Sequence, residues 1–368
     1  KFKLASKLRP VFVHEFDSGE LLRTYLIQCL DSEIDTSNSR VLDYTSARMK
    51  KEKSEFYRLC GGSLGGKARG LAFARTMIKQ SGINTDFDQV TIRVPNCVVV
   101  GTDEFDLFMK DNQLWKKALQ LSDNKKLERA FKKARLSLDL MLKLELFIKD
   151  NQYPLAVRSS SLLEDSQYQP LAGTYETIML PNNSRSNKKR LKELITAIKC
   201  VFASTFKGEA KSLLDNTSHR IEEEKMAVII QEIVGQSYES NRFYPTFSGV
   251  LKSVNYYPVS YMERDEGVAY LALGFGRTIV DGEKCLTISP KYPSILPQFY
   301  SMKSTRQNSQ NKFYGLALKS KLKNSKEDLS SFSLKDAEDD GSLKWLASVI
   351  SNDDNTFSFP QRRIKAVN

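Results

Sequence analysis

Apolar residues recur at two different spacings along this chain, and the change from one to the other marks out its elements. Leu71, Ala74 and Ile78 return at helical intervals behind a glycine-rich turn, and Gly82 supplies a stop, so a helix is predicted there. Residues 20–30 place Leu21, Leu22, Tyr25, Leu26 and Cys29 on one side and read as an earlier helix. Longer helical zones are predicted over 114–149 and 188–214. Thr102 reads as the cap of a helix whose first turn holds Asp103 and Glu104. Apolar runs too short for helices read as strands: Val11-Phe12-Val13, two short strands around Pro95 within 90–100, then 155–157, 225–234, 247–254 and 268–273. Beyond about residue 303, clusters of Ser, Asn, Lys and Asp break the apolar runs into short pieces. No internal repeat is visible. Strands and helices mixed without regular βαβ alternation predict an α+β fold.

At 368 residues the chain exceeds a usual single domain, which predicts two lobes or one large domain with appendages. No uninterrupted apolar run reaches the length of a bilayer span, and no signal peptide opens the chain. The first residues are Lys1-Phe2-Lys3, which reads as a start trimmed of its methionine. Cys29, Cys60, Cys97, Cys200 and Cys285 are isolated, with no Cys-x-x-Cys pair. That spacing argues against a disulfide framework and a zinc site, and for a cytoplasmic location. A net charge of +12 raises the question of nucleic acid. Much of the excess lies in mixed-charge helical stretches such as 125–135 and 188–192, which read as solvated helix faces. A basic nucleic-acid-binding protein stays as an alternative, distinguishable by steeply salt-dependent binding.

Two stretches carry candidate chemistry. Cys60-Gly61-Gly62-Ser63-Leu64-Gly65-Gly66-Lys67-Ala68-Arg69-Gly70 sets a cation at the start of a helix, behind glycines that let backbone approach an anion. Gly61 to Lys67 even spells the G-x-x-x-x-G-K part of a P-loop. Two features argue against one: Ala68 stands where a magnesium-binding hydroxyl is needed, and residues 55–59 do not read as a buried parallel strand. The second stretch is Ala156-Val157-Arg158-Ser159-Ser160-Ser161-Leu162-Leu163-Glu164-Asp165, followed by Leu171-Ala172-Gly173-Thr174-Tyr175-Glu176-Thr177. A planar fork of donors near free backbone N–H groups suits a polyphosphate.

Taken together, these residues resemble the ATP-binding region of the phosphoenolpyruvate synthase and pyruvate phosphate dikinase family. Gly65-Gly66-Lys67 through Leu71 matches its G-G-K-x-x-x-L signature; Val157 to Asp165 matches V-R-S-S-A-x-x-E-D, with Ser161 for alanine. Leu171 to Thr177 matches F-A-G-x-x-x-T, with Leu171 for the aromatic. Met226-Ala227-Val228-Ile229-Ile230-Gln231-Glu232-Ile233-Val234 resembles A-V-V-V-Q-x-M-V. Phe247 to Leu251 and Leu273 to Gly282 follow its S-G-V-L-F and G-L-G-x-x-V-V-x-G elements. The resemblance covers about 59–293 and leaves residues 1–58 as an N-terminal extension of unknown role.

The resemblance implies an ATP-grasp-type domain with two α+β lobes closing over ATP. Lys67 would touch the phosphates, and Arg158 would be the catalytic group that stabilises charge on the transferring phosphoryl. Gly173 and Thr174 would cradle phosphates through backbone N–H groups, with the Thr177 hydroxyl nearby, while main-chain groups of Gln231, Glu232, Ile233 and Val234 would hold adenine. The family also implies Mg2+, held by a D-x-E pair before an L-Q-x-R-P stretch. Asp281-Gly282-Glu283 falls in a glycine turn, and Asp336-Ala337-Glu338 reads as a solvated acidic loop; Pro360-Gln361-Arg362-Arg363-Ile364 keeps only Q-x-R. The expectation is therefore that 59–368 is a dikinase-type ATP-binding domain incomplete at its C-terminal end, with metal ligands outside this chain. The family's carrier histidine and pyruvate-binding barrel are not found either; His14 and His219, the latter in Thr217-Ser218-His219, read as structural or surface residues. Such a piece should bind ATP weakly and turn nothing over alone, while the full protein would pass phosphoryl from ATP to a histidine in a missing domain and then to pyruvate. A nucleotide-sensing module without catalysis, or a dikinase-like enzyme with another acceptor, stays open.

Overall fold

In a computed structural model, the described residues are 42–43, 56–83, 87–161, 173–215, 224–259, 262–319, 329–347, 349–350 and 357–358. The expected strand at 11–13, the helix at 20–30, Glu164, Asp165, Leu171, Ala172 and both histidines lie outside them.

The first lobe is built on a six-stranded sheet. Its strands are β1 (Leu42–Asp43), β2 (Phe56–Arg58), β3 (Cys97–Val100), β4 (Leu155–Ser161), β5 (Thr177–Leu180) and β6 (Met226–Glu232), in the spatial order β1-β2-β3-β6-β4-β5. β1, β2 and β3 run parallel, whereas β6, β4 and β5 pair antiparallel in turn. Phe56–Arg58 precedes the boundary read at residue 58, so that boundary falls inside the sheet.

Both faces of the central strands are covered, which is why β3 and β6 read as continuous apolar runs. Val98, Val100, Leu155, Val157, Val228 and Ile230 face a helical layer. That layer comprises α2 (Thr102–Asp111), α3 (Trp115–Gln120), α4 (Asn124–Lys133), α5 (Leu138–Asp150), α6 (Asn187–Ser204) and α7 (Gly208–Asp215). Phe56, Cys97, Val99, Ala227 and Ile229 face α1 (Gly65–Ser81) on the other side, through Ala68 and Ala72.

Three predicted elements change for local reasons. The zone 114–149 breaks into three helices because Asp123 and Ser137 cap new starts, accepting from the backbone N–H groups of Lys125 and Lys126, and of Leu140. Only Cys97–Val100 is a strand within 90–100, since Pro95 lacks a ladder donor. Thr102 is not a cap: Gly101 precedes the helix, and the Thr102 hydroxyl accepts instead from Ser63 N–H at 2.9 Å. The stop at Gly82 holds, with the glycine in the left-handed region at φ 68°.

The second lobe contains a four-stranded sheet in the order β13-β12-β8-β7 and a three-stranded one in the order β11-β10-β9. These strands are β7 (Gln236–Ser237), β8 (Arg242–Tyr244), β9 (Phe247–Lys252), β10 (Val268–Leu273), β11 (Leu286–Ile288), β12 (Lys312–Ala317) and β13 (Leu329–Ser333). Ala156 and Ile233 of the first lobe pack with Phe243 and Leu316 of the second, with Met179 and Phe275 at the margin. The fold is α+β of the ATP-grasp type.

Candidate nucleotide site

The glycine turn is fastened to the β4 strand through one hydroxyl. Ser160 Oγ accepts the Ala68 N–H at 3.1 Å and donates to the Leu64 carbonyl at 2.8 Å. Gly65 sits at φ 76°, and a Cβ there would overlap the Ser160 carbonyl, so only glycine permits so close an approach. Residues two apart on a strand share a face, so Ser160 and Arg158 point to the side on which α1 lies. The start of the helix carrying Lys67 is thus held over the row that carries Arg158. Lys67 itself is half-buried.

This geometry revises one argument against a P-loop. Phe56–Arg58 is a strand paired parallel to β3, with Phe56 and Tyr57 buried, so strand, glycine turn and helix do follow one another. The other argument stands: Ala68 is fully buried with no hydroxyl to offer, and its N–H is committed to Ser160.

Arg158 is half-buried and donates from Nη1 to Gln231 Oε1 at 3.0 Å. Its cross-strand partners are Ile229 on β6 and Thr177 on β5, so Thr177 stands beside it on the same face, exposed. Upstream of Thr177, the turn alternates between open and anchored residues. Gly173 is exposed at φ 75° and Thr174 half-exposed. Tyr175 is buried and donates its hydroxyl to Glu224 Oε1 at 3.1 Å, whereas Glu176 pairs with Lys207 and donates its N–H to Ser204 Oγ at 3.2 Å. Those anchors fix the loop while leaving both threonines outward.

The β6 end is more committed than its sequence suggests. Gln231 spends its side-chain oxygen on Arg158. Glu232 N–H donates to Asn96 O at 2.8 Å and Ile233 N–H to Pro154 O at 2.9 Å, so neither donor faces outward. The Glu232 carboxylate takes both Nη groups of Arg93 at 3.0 Å and Asn96 Nδ2 at 2.8 Å. Burial pushes its pKa up, but Arg93 and Asn96 outweigh that and hold it below the ordinary value. Val234 is 51% exposed and follows the last paired residue, so it is the member of the four that a base could reach without breaking the sheet.

Ser160 was missed by the sequence reading, although its two-residue offset from Arg158 was a usable signal. The Arg93–Asn96–Glu232 clamp and the Gln231–Arg158 bond join residues far apart in sequence and left no local sign.

Four acids of the second lobe are engaged by neighbouring side chains. Asp281 accepts from Arg277 Nε at 3.0 Å, and Glu283 accepts from the Tyr314 hydroxyl at 2.8 Å and pairs with Lys312 at 2.7 Å. Asp336 is not in a solvated loop. It lies in helix Leu334–Asp339, where it completes a capping box by accepting the N–H of the cap residue Ser333 at 2.9 Å, and it pairs with Arg242 at 2.9 Å, while Asp340 accepts from Arg242, Ser240 and Tyr244. Among the described residues, no group of three or more His, Cys, Asp or Glu is placed to hold a metal ion.

Comparison with known sequences agrees with this architecture. The family described as "Pyruvate phosphate dikinase, AMP/ATP-binding domain" matches residues 62–361, which takes in the polar stretch past 293 as well. The chain is also similar to an uncharacterized phosphotransferase, YvkC, of Bacillus subtilis strain 168, at 28% identity over 192 residues. That match takes in 51% of this chain and 20% of the relative, so the chain spans about a fifth of that protein's length. No described helix is long and apolar enough to cross a membrane.

Proposed function

Since the chain belongs to the family of pyruvate phosphate dikinase AMP/ATP-binding domains, we propose that it seats ATP with the triphosphate between Lys67 and Arg158 and adenine toward Val234. The observation that carries this is the Ser160 joint, which ties the lysine turn to the arginine strand by two hydrogen bonds. Lys67 supplies a compact positive charge at a helix start, where backbone donors also favour an anion. Arg158 supplies a fork already oriented by Gln231 through one Nη group. In the mechanism this implies, that fork meets charge developing on the transferring phosphoryl, and its preset orientation avoids reorganisation during the step. Gly173, Thr174 and Thr177 line the same edge of β5, where main-chain N–H groups and hydroxyls can meet phosphate oxygens.

As the ATP-binding domain of a dikinase-type phosphotransferase, the chain would supply phosphoryl to a histidine in a domain of the same polypeptide, and from there to pyruvate. Mg2+ is the expected companion of ATP in that chemistry. A second reading is favoured by the second-lobe ion pairs, which occupy Asp281, Glu283, Asp336 and Asp340. In that reading the domain binds nucleotide as a sensor and catalyses nothing.

Thermal unfolding with ATP tests the site. At ligand about a hundredfold above the dissociation constant, binding adds roughly 2.7 kcal/mol. Lys67→Ala and Arg158→Ala should each diminish the resulting shift in Tm. An unchanged shift in both variants removes this assignment.

A further inference from the structure

The second lobe carries an arginine, Arg277, that no part of the proposed site uses. Its placement follows from the register of two strands. At one end, Asn182 Nδ2 donates to Tyr153 O at 2.9 Å, and the next residue, Asn183, donates to Leu318 O at 2.9 Å. Further along, Ala156 of β4 and Leu316 of β12 share a buried cluster. Moving from Leu318 through Leu316 to Tyr314 and Lys312 thus runs alongside Tyr153, Ala156, Arg158 and Ser160. Strand alternation puts Lys312, Tyr314 and Leu316 on one face of β12, and Ala156, Arg158 and Ser160 on one face of β4. Leu316 and Ala156 share that cluster, with Met179 and Phe275 packed against it, so the face of β12 bearing Tyr314 lies on the side of the face of β4 bearing Arg158.

Tyr314 has two cations against its ring. Arg277 Cζ is 4.9 Å from its ring centroid and Lys312 Nζ is 5.6 Å from it. The ring is fixed by its hydroxyl on Glu283, and the turn before Arg277 is pinned by Phe275 N–H on Tyr314 O at 2.9 Å. Asp281 takes only Nε of Arg277, at 3.0 Å. The two Nη groups have no hydrogen-bond partner among the described residues, so the forked edge is stacked, held from behind and open.

The geometry points to Arg277, with Lys312 beside it, as the second-lobe contact for the polyphosphate of the bound nucleotide, across the cleft from Lys67 and Arg158. This rests on the proposed seat of the triphosphate along those two residues. The Arg277 fork suits two phosphate oxygens at once, which a lysine cannot match. Its i,i+4 pair with Asp281 is 38% and 40% exposed, a weak solvated contact that does not compete with a phosphate. Asp281, Glu283, Asp336 and Asp340 are each engaged by a cationic side chain of their own lobe, so cations from both walls are left to neutralise the phosphates, and binding persists without divalent ions.

The test is calorimetric titration of the full chain with ATP and with adenosine, in excess EDTA and then in excess Mg2+. Wild type is expected to bind ATP in EDTA within about threefold of its affinity in Mg2+. Arg277→Ala should weaken ATP by about tenfold or more in EDTA and leave adenosine unchanged, with Arg277→Lys in between. Lys312→Ala should lower ATP affinity less, and serves if Arg277→Ala fails to fold. Wild-type affinity for ATP in Arg277→Ala, with Arg158→Ala weakened, overturns this inference alone. So does wild-type binding that vanishes in EDTA and returns with Mg2+. Failure of the wild type to bind ATP under either condition overturns the proposed site together with it.

Discussion

Ser160 Oγ takes the N–H of Ala68 from a distance of 92 residues in sequence, and this bond is the joint between the two halves of the phosphate-facing wall. Ser160 and Ala68 are both completely buried, so the Ala68 N–H has no water as a substitute. Ser160→Ala leaves the Ala68 N–H and the Leu64 carbonyl without their partner, at about 1–3 kcal/mol. Urea unfolding should report that loss, and ATP affinity should fall with it because the helix start bearing Lys67 is freed to shift. Unchanged ATP affinity in a destabilised but folded Ser160→Ala protein would mean that the joint does not position Lys67.

The parts of the fold legible in sequence were those set by local chemistry. The apolar runs of β4 and β6, the glycine turn before α1 and the stop at Gly82 follow from residue pattern alone. What was illegible depends on residues distant in sequence. Residues 55–59 gave no sign of a buried parallel strand, because Phe56 gains burial only once α1 closes over one face of the sheet and Tyr57 only once the helical layer closes over the other. Thr102 looked like a cap, yet its hydroxyl is claimed by Ser63 across the turn, an interaction with no local signature. Likewise the acids at 336 and 340 looked solvated, since nothing nearby in sequence announces Arg242.

Glu232 predicts an acid-side loss of stability. Its folded pKa is held below the ordinary value of 4.5 by Arg93 and Asn96 against the opposing effect of burial. Below 4.5 the unfolded chain therefore binds a proton that the native state does not, and stability falls as pH drops toward the folded pKa. Above 4.5 the contribution is fully present. Glu232→Gln removes it, so the variant should be less stable than wild type at pH 7 and the gap should narrow as pH is lowered below 4.5. Urea unfolding across pH 3–7 checks this, and a gap independent of pH would show that the clamp acts without its charge.

Lys207 holds the loop of Gly173 and Thr174 from beneath. It pairs with Glu176, whose side chain is 6% exposed, and with Glu128 at 3.3 Å. Two carboxylates this well buried depend on the cation between them, and removing one partner from a buried pair typically costs about 3–5 kcal/mol. Lys207→Met should therefore destabilise the protein by that order in urea unfolding. Adding Glu176→Leu should recover part of the loss, since the charge left unpaired beneath the loop is then gone. The two substitutions should consequently be non-additive in a double-mutant cycle. Strict additivity would mean that the bond between Lys207 and Glu176 does not hold the loop in place, and that the loop is held by Tyr175 on Glu224 and by the Glu176 N–H on Ser204 Oγ instead.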